Sequence, residues 1–250
     1  MTEAQTVVLE PGTGYLRVRL GNGNNPLDNQ LVCPLLGSLD TVEADRDCLA
    51  VVIHSDGPVF CSGMPLRADA ELPAGWADAA QPPPWQLFQR LAHAPVVTVA
   101  VVDGEASGGG VALAAACDLV VVGPAARFRL TELLLGLVPA MAMPFIARRT
   151  GPQAARRLAL TCAEIGPSEA VRIGLADFTA DDPTPFVRHL LVSLSRLDRD
   201  AVGVLKSYLR IALPTPSGLA EAARDVLVQR IGAPSVAERL RRLHTDGLLR

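Results

Sequence analysis

Residues 96–102, Val-Val-Thr-Val-Ala-Val-Val, are an apolar, β-branched run that suits a strand buried on both faces. The run breaks at Ser107-Gly108-Gly109-Gly110 and resumes over 111–116 as small apolar residues, which predicts a strand, a glycine turn and a buried helix. Residues 48–54 give another buried strand. Residues 6–10 and 15–20 read as a hairpin, the second arm alternating Leu16, Val18 and Leu20 with Arg17 and Arg19. A turn cluster ends at Pro26, and Asp28 is placed to cap the helix after it. Trp85, Leu87, Phe88 and Leu91 fit a short amphipathic helix. Before it, 67–84 is rich in Ala, Asp, Pro and Gly and reads as a mobile surface segment of the lid or linker kind. From Gly151 the pattern is helical over 153–161, from Ser168 to a closing Gly174, then over 184–196, 199–210, 218–231 and 235–248.

The chain of 250 residues has room for one substantial α/β domain, alone or with a helical tail. Its 49% hydrophobic and 20% charged residues fit a compact fold, and a net charge of −3 argues against a nucleic-acid binder. The five cysteines, Cys33, Cys48, Cys61, Cys117 and Cys162, stand singly with no C-x-x-C, which fits reduced thiols packed as small apolar residues and no metal site. The first residues show no basic stretch before an apolar core, and no apolar run is long enough to span a bilayer, so a cytoplasmic protein without membrane association is expected.

The glycine turn has several readings. It can hold an anion at a helix N-terminus, or it can permit close packing of helix on strand. Neither G-x-G-x-x-G nor G-x-x-x-x-G-K-[ST] is present, which weakens a nucleotide site. Glu132, flanked by Leu130, Leu133 and Leu134, adds another reading: a carboxylate in an apolar pocket has the raised pKa that general acid–base work needs. A solvated acid on an outer face is the plain alternative.

Phe60-Cys61-Ser62-Gly63-Met64, Ser107-Gly108-Gly109-Gly110, Cys117-Asp118 and Thr131-Glu132-Leu133-Leu134-Leu135-Gly136-Leu137-Val138-Pro139 together resemble the crotonase (enoyl-CoA hydratase/isomerase) superfamily, in the right order and over nearly the whole chain. Pro139-Ala140 and the following Pro144-Phe145-Ile146-x-Arg148-Arg149-x-Gly151 are most similar to the dehydratases of polyketide β-branching cassettes, which act on 3-hydroxy-3-methylglutaryl-ACP. Ordinary hydratases usually carry a Gly-rich segment where this chain has Pro139-Ala140-Met141-Ala142-Met143.

The resemblance implies a crotonase-like spiral of ββα turns, with a catalytic core over 1–195 and a helical C-terminal trimerisation region over 196–250. A homotrimer or a dimer of trimers would follow. It makes Glu132 the catalytic acid and the backbone N–H groups of Met64 and Gly109 an oxyanion hole for a thioester enolate. Pro65 removes only its own amide, so the Met64 donor survives. Hydratases of the superfamily place a second glutamate two residues after the third glycine, and here that position is Ala112. Isomerases and the β-branching dehydratases can lack that acid. The expected reaction is dehydration of the hydroxymethylglutaryl thioester, with a Δ3,Δ2-enoyl isomerase or enoyl-CoA hydratase as the alternative and a non-catalytic scaffold as a further one.

No cofactor is expected beyond the ACP phosphopantetheine or CoA that carries the substrate. Trp85 and Phe88 are candidates for the acyl pocket, core packing being the other explanation. Arg67, Arg127 and Arg129 are candidates for the substrate's distal carboxylate. Arg148 and Arg149 are candidates for docking an acidic acyl carrier protein, against the simpler reading of solvated helix ends.

Overall fold

A computed structural model of the chain describes residues 7–66 and 71–246. The strands are β1 (Val8–Gly12), β2 (Tyr15–Leu20), β3 (Ala50–Ser55), β4 (Val59–Cys61), β5 (Val97–Val102), β6 (Glu105–Ser107), β7 (Leu119–Val122), β8 (Arg127–Arg129) and β9 (Phe178–Thr179). The α-helices are α1 (Asn29–Ala44), α2 (Pro83–His93), α3 (Gly109–Ala116), α4 (Met143–Thr161), α5 (Pro167–Arg172), α6 (Pro183–Leu194), α7 (Arg199–Ala212), α8 (Leu219–Ile231) and α9 (Pro234–Thr245).

The apolar runs become the centre of a six-stranded sheet in the order β1-β2-β3-β5-β7-β9, in which only the β1–β2 hairpin is antiparallel. Every residue of β5 is buried, as an interior parallel strand requires. A second, three-stranded parallel sheet, β4-β6-β8, takes the strand that follows each turn of the main sheet. The chain thus steps from one sheet to the other and returns through a helix, the repeated ββα turn of the spiral.

Local signals explain where elements begin and end. Asp28 Oδ1 accepts from the amides of Gln30 and Leu31 and so caps α1. The helix expected from Ser168 runs over α5, with Gly174 at φ +78° just beyond it. Gly151, at φ +76°, breaks α4 into two helical segments. The small strands β4, β6 and β8 have three residues each, too short to leave a periodic signature in the sequence.

The segment before α2 lies at the surface, as expected, except at one residue. Residues 71–80 form a turn that buries Trp76, which is 2% exposed. The remainder of that prediction, 67–70, lies outside the described residues, as do 247–248 of the expected last helix.

Helices α7 to α9 fold back on the core. Lys206 of α7 is buried, and its Nζ donates to Leu91 O at 3.3 Å, Val96 O at 2.9 Å and Asp118 Oδ2 at 2.6 Å. Asp118 also accepts from the Thr98 amide and hydroxyl, so one carboxylate joins the start of β5, the end of α3 and the C-terminal helices. Burial pushes the Lys206 ammonium below its usual pKa, and Asp118 opposes that shift. Among the described residues, no helix is long and apolar enough to cross a membrane.

Lys206→Met removes one partner of a buried ion pair and leaves the other uncompensated. It is expected to lower unfolding free energy by about 3 kcal/mol in urea titration.

Candidate active site

The site forms where two glycine turns meet. Gly63 follows β4 with φ +78°, and Gly108 joins β6 to α3 with φ +52°. A Cβ on Gly63 would lie 2.6 Å from Ser107 O and 3.0 Å from Gly109 N, so no larger residue fits where the turns touch.

This contact brings together two peptide N–H groups, those of Met64 and Gly109. Each is aimed by the carbonyl at the other side of its own peptide plane. Gly63 O accepts from Leu27 N at 2.8 Å, and Gly108 O accepts from Val111 N at 3.0 Å. Because trans peptide N–H and C=O groups point in opposite directions, fixing the carbonyls directs the Met64 and Gly109 amides the other way. Among the described residues neither amide donates to a turn or loop carbonyl, and Gly109 is the first residue of α3, where helical N–H groups have no internal partner.

Glu132 is the first residue of a short 3₁₀ turn, Glu132–Leu135, closed by Gly136 in the left-handed region. That turn is what fixes the side chain. A Cβ on Gly108 would lie 2.9 Å from Glu132 Oε1, so the second glycine is where the acid reaches the oxyanion turn. Burial pushes the Glu132 carboxyl up to about 7, against the backbone N–H groups of Glu132 and Thr131, which favour its charged form. Oε2 is buried with no hydrogen-bond partner among the described residues, which makes it the oxygen free to take a proton.

The turn that carries this acid is held from the C-terminal helices. Arg230 Nε of α8 donates to Gly136 O at 2.8 Å, and Arg239 Nη1 of α9 donates to Leu134 O at 2.7 Å. Leu135 and Leu137 pack against Ile231, Val236 and Leu240. Arg239 stands in sequence as one charge among several in the last helix. Nothing in its local pattern reveals a bond to a carbonyl over a hundred residues away.

Glu132, Met64, Gly108 and Gly109 open on a cavity of about 100 Å³, lined also by Leu27, Ser62, Trp76, Phe88, Met141 and Leu227. Among the described lining residues Glu132 is the only ionisable one. Ala112, at the place of the absent second acid, is fully buried in the core. Leu137, Val138, Pro139, Ala140, Met141 and Ala142 line one wall, so the segment that departs from the glycine-rich hydratase pattern supplies apolar surface.

Several predicted residues lie elsewhere. Of the two aromatic candidates only Phe88 lines the cavity. Trp85 is a core residue, fully buried and edge-on to Phe145 with ring centroids 5.4 Å apart. Arg129 Nε donates to Cys162 O at 2.8 Å, and Arg127 lies 3.7 Å from Glu164, so neither guanidinium lines the cavity. Arg67 lies outside the described residues. Arg149 is turned inward: its guanidinium donates to Leu175 O, Cys117 O and Asp118 O and pairs with Asp177, with the side chain only 9% exposed. Arg148 is exposed, at the rim of a groove lined by Met143, Pro144, Leu213 and Pro214. Trp76 and Leu227 were missed, the first because it sits in a stretch of loop composition and the second because it is remote in sequence.

Comparison with known proteins bears on this arrangement. The sequence profile described as enoyl-CoA hydratase/isomerase matches residues 12–216. The chain is 31% identical over 198 residues to bacillaene synthase dehydratase PksH of Bacillus subtilis, covering 78% of this chain and 76% of that protein. It is 34% identical over 199 residues to the enoyl-CoA hydratase EchA14 of Mycobacterium tuberculosis, with 78% and 76% covered. The crystal structure of the pksH polyketide biosynthesis enoyl-CoA hydratase from Bacillus subtilis shares the fold, with a TM-score of 0.82 at 24% identity over 98% of this chain and 99% of that one.

Two outcomes follow, one from the buried acid and one from the glycine contact. In the unfolded chain a glutamate titrates near 4.5, so above about pH 7 the folded state carries a charge that burial disfavours. That costs about 3 kcal/mol, a cost absent below pH 4.5. Glu132→Gln is therefore expected to raise Tm at pH 8 and to leave it nearly unchanged at pH 4.5, while abolishing turnover. Gly63→Ala is expected to lower kcat about 100-fold or more by displacing Gly109 N, measured on folded protein.

Proposed function

The chain belongs to the enoyl-CoA hydratase/isomerase family, and from that membership we propose that it removes water from 3-hydroxy-3-methylglutaryl-ACP, giving 3-methylglutaconyl-ACP in polyketide β-branching. Its activity class is that of the hydro-lyases, as the dehydratase and hydratase relatives are named. The observation that carries the finer reading is the single carboxylate, Glu132, set beside two free amides in an otherwise apolar cavity. The similarity to a dehydratase of a polyketide synthase supports the ACP-bound substrate.

Ionised Glu132 takes the α-proton of the thioester, and the electron pair moves onto the carbonyl oxygen. The amides of Met64 and Gly109 stabilise the resulting enolate. The enolate then collapses, the bond from C3 to the hydroxyl breaks, and Glu132 returns its proton to the departing hydroxide as water. One carboxylate suffices because proton and hydroxyl leave from the same face, within reach of the same oxygen. A tertiary hydroxyl, as in this substrate, departs more readily than a secondary one. The apolar lining does not supply a cation for the distal carboxylate among its described residues, so the reading requires that group to stay hydrated at the open mouth.

The exposed Arg148 at the rim of its groove supports docking of an acidic carrier protein there, with the pantetheine arm reaching the cavity. The apolar face of α7, with Val204, Leu205, Tyr208 and Ile211 exposed, supports burial of that helix in a homotrimer or a dimer of trimers. A second reading, Δ3,Δ2-enoyl isomerisation, is favoured by the same lone acid, which can move a proton between two carbons without a second carboxylate.

Incubating 3-hydroxy-3-methylglutaryl-ACP and its CoA counterpart with the protein separates these readings by mass spectrometry. Loss of one water from the ACP substrate, abolished in Glu132→Gln and rising with pH through about 7, is the expected result. An unchanged mass with both, and a shifted double bond in a β,γ-enoyl thioester, would replace dehydration by isomerisation.

A further inference from the structure

We infer that Trp76, held in place by Asn29, is the wall that sets how long an acyl chain the cavity accepts, restricting the site to short acyl thioesters. The inference rests on the reading that acyl thioesters enter this cavity, and it adds which acyl class they carry.

Trp76 is the largest side chain lining the cavity, and it is 2% exposed. A buried indole needs a partner for its N–H. Trp76 Nε1 donates to Asn29 Oδ1 at 3.1 Å. The amide of the same side chain, Asn29 Nδ2, donates to Ala74 O at 3.0 Å, so one asparagine fixes both the ring and the backbone that carries it. From the other side Arg224 Nη1 donates to Ala79 O at 3.2 Å and holds the end of the turn. The ring's polar edge is thereby turned to Asn29, and what it offers the cavity is apolar surface in a fixed orientation.

Asn29 also stands two residues after Leu27, whose amide orients the Gly63–Met64 peptide. Just before them, Asn25 is buried at φ +46°, with its Nδ2 within hydrogen-bond distance of Gly21 O, Ser55 Oγ and Val59 O. One stiff turn therefore sets both an oxyanion donor and the wall. Acyl length is measured from the thioester carbonyl, so a wall built on the support of the carbonyl's own anchor keeps a fixed distance from it. A wall fixed at both points excludes a longer chain sterically, whereas a side chain free to rotate would yield to it.

The test compares the protein with Trp76→Ala, Trp76→Leu and Asn29→Ala, using butyryl-, hexanoyl- and octanoyl-pantetheine as non-reacting probes and measuring Kd by calorimetry. The expected result is weak octanoyl binding in the parent and a gain of about tenfold or more in the octanoyl-to-butyryl affinity ratio in Trp76→Ala and Trp76→Leu. Asn29→Ala is expected to give a smaller gain in the same direction. In a Trp85→Phe background Trp76 is the one remaining indole, and its fluorescence is expected to change on butyryl binding. Trp76→Leu, the milder change, serves if Trp76→Ala does not fold. An affinity ratio unchanged in a folded Trp76 variant, or an indole signal indifferent to the probe, would overturn the inference. Because the probes carry no hydroxyl, failure of the dehydration assay leaves this result intact, and the converse also holds.

Discussion

The close approach of the Gly63 and Gly108 turns is the constraint on which the rest of the molecule depends. Two backbones meet where no Cβ fits, and that contact alone puts the Met64 and Gly109 amides at one cavity and the Glu132 carboxylate against the second turn. Everything else serves to hold the contact. The main sheet fixes where β4 and β6 begin, Leu27 fixes one peptide plane, and α3, built of small residues, lies close enough to the strands for its N-terminus to enter the site. A side chain at Gly63 would separate the donors whose convergence the chemistry requires, and one at Gly108 would press on the Glu132 carboxylate.

Burial produces both the cost and the use of Glu132. The apolar wall from Leu137 to Ala142 raises its pKa towards neutrality, where a carboxyl group exchanges protons readily in both directions. The same wall leaves the acid without a charged companion. A catalyst with one titrating group must take and return the same proton, and this limits it to reactions whose two proton positions lie on one face of the substrate. Support for the acid comes from the far end of the chain, through Arg230 and Arg239, so the C-terminal helices are part of the catalytic apparatus and not an appendage to it.

The sequence made the fold legible through its long periodic runs. Strand β5 and helix α3 stand out because both are buried on all sides, and Asp28 announces α1 through a local bond. The glycine turns and Glu132 were legible through motif resemblance. What escaped was set by distance or brevity. β4, β6 and β8 are too short for a pattern, the turn of Trp76 is held by partners on α1 and α8, and the interior role of Arg149 depends on carbonyls from two other segments. Composition placed residues 71–80 at the surface, which holds for all of them but Trp76, whose burial depends on a single tryptophan finding a single asparagine.

Lys206 has a chemical consequence beyond holding α7. Thioesters acylate exposed amines, and a protein that handles them works beside a standing supply of electrophile. Its sole lysine is enclosed and paired with Asp118, out of reach of a bound thioester. The folded chain therefore presents no lysine nucleophile to the cargo it is proposed to process.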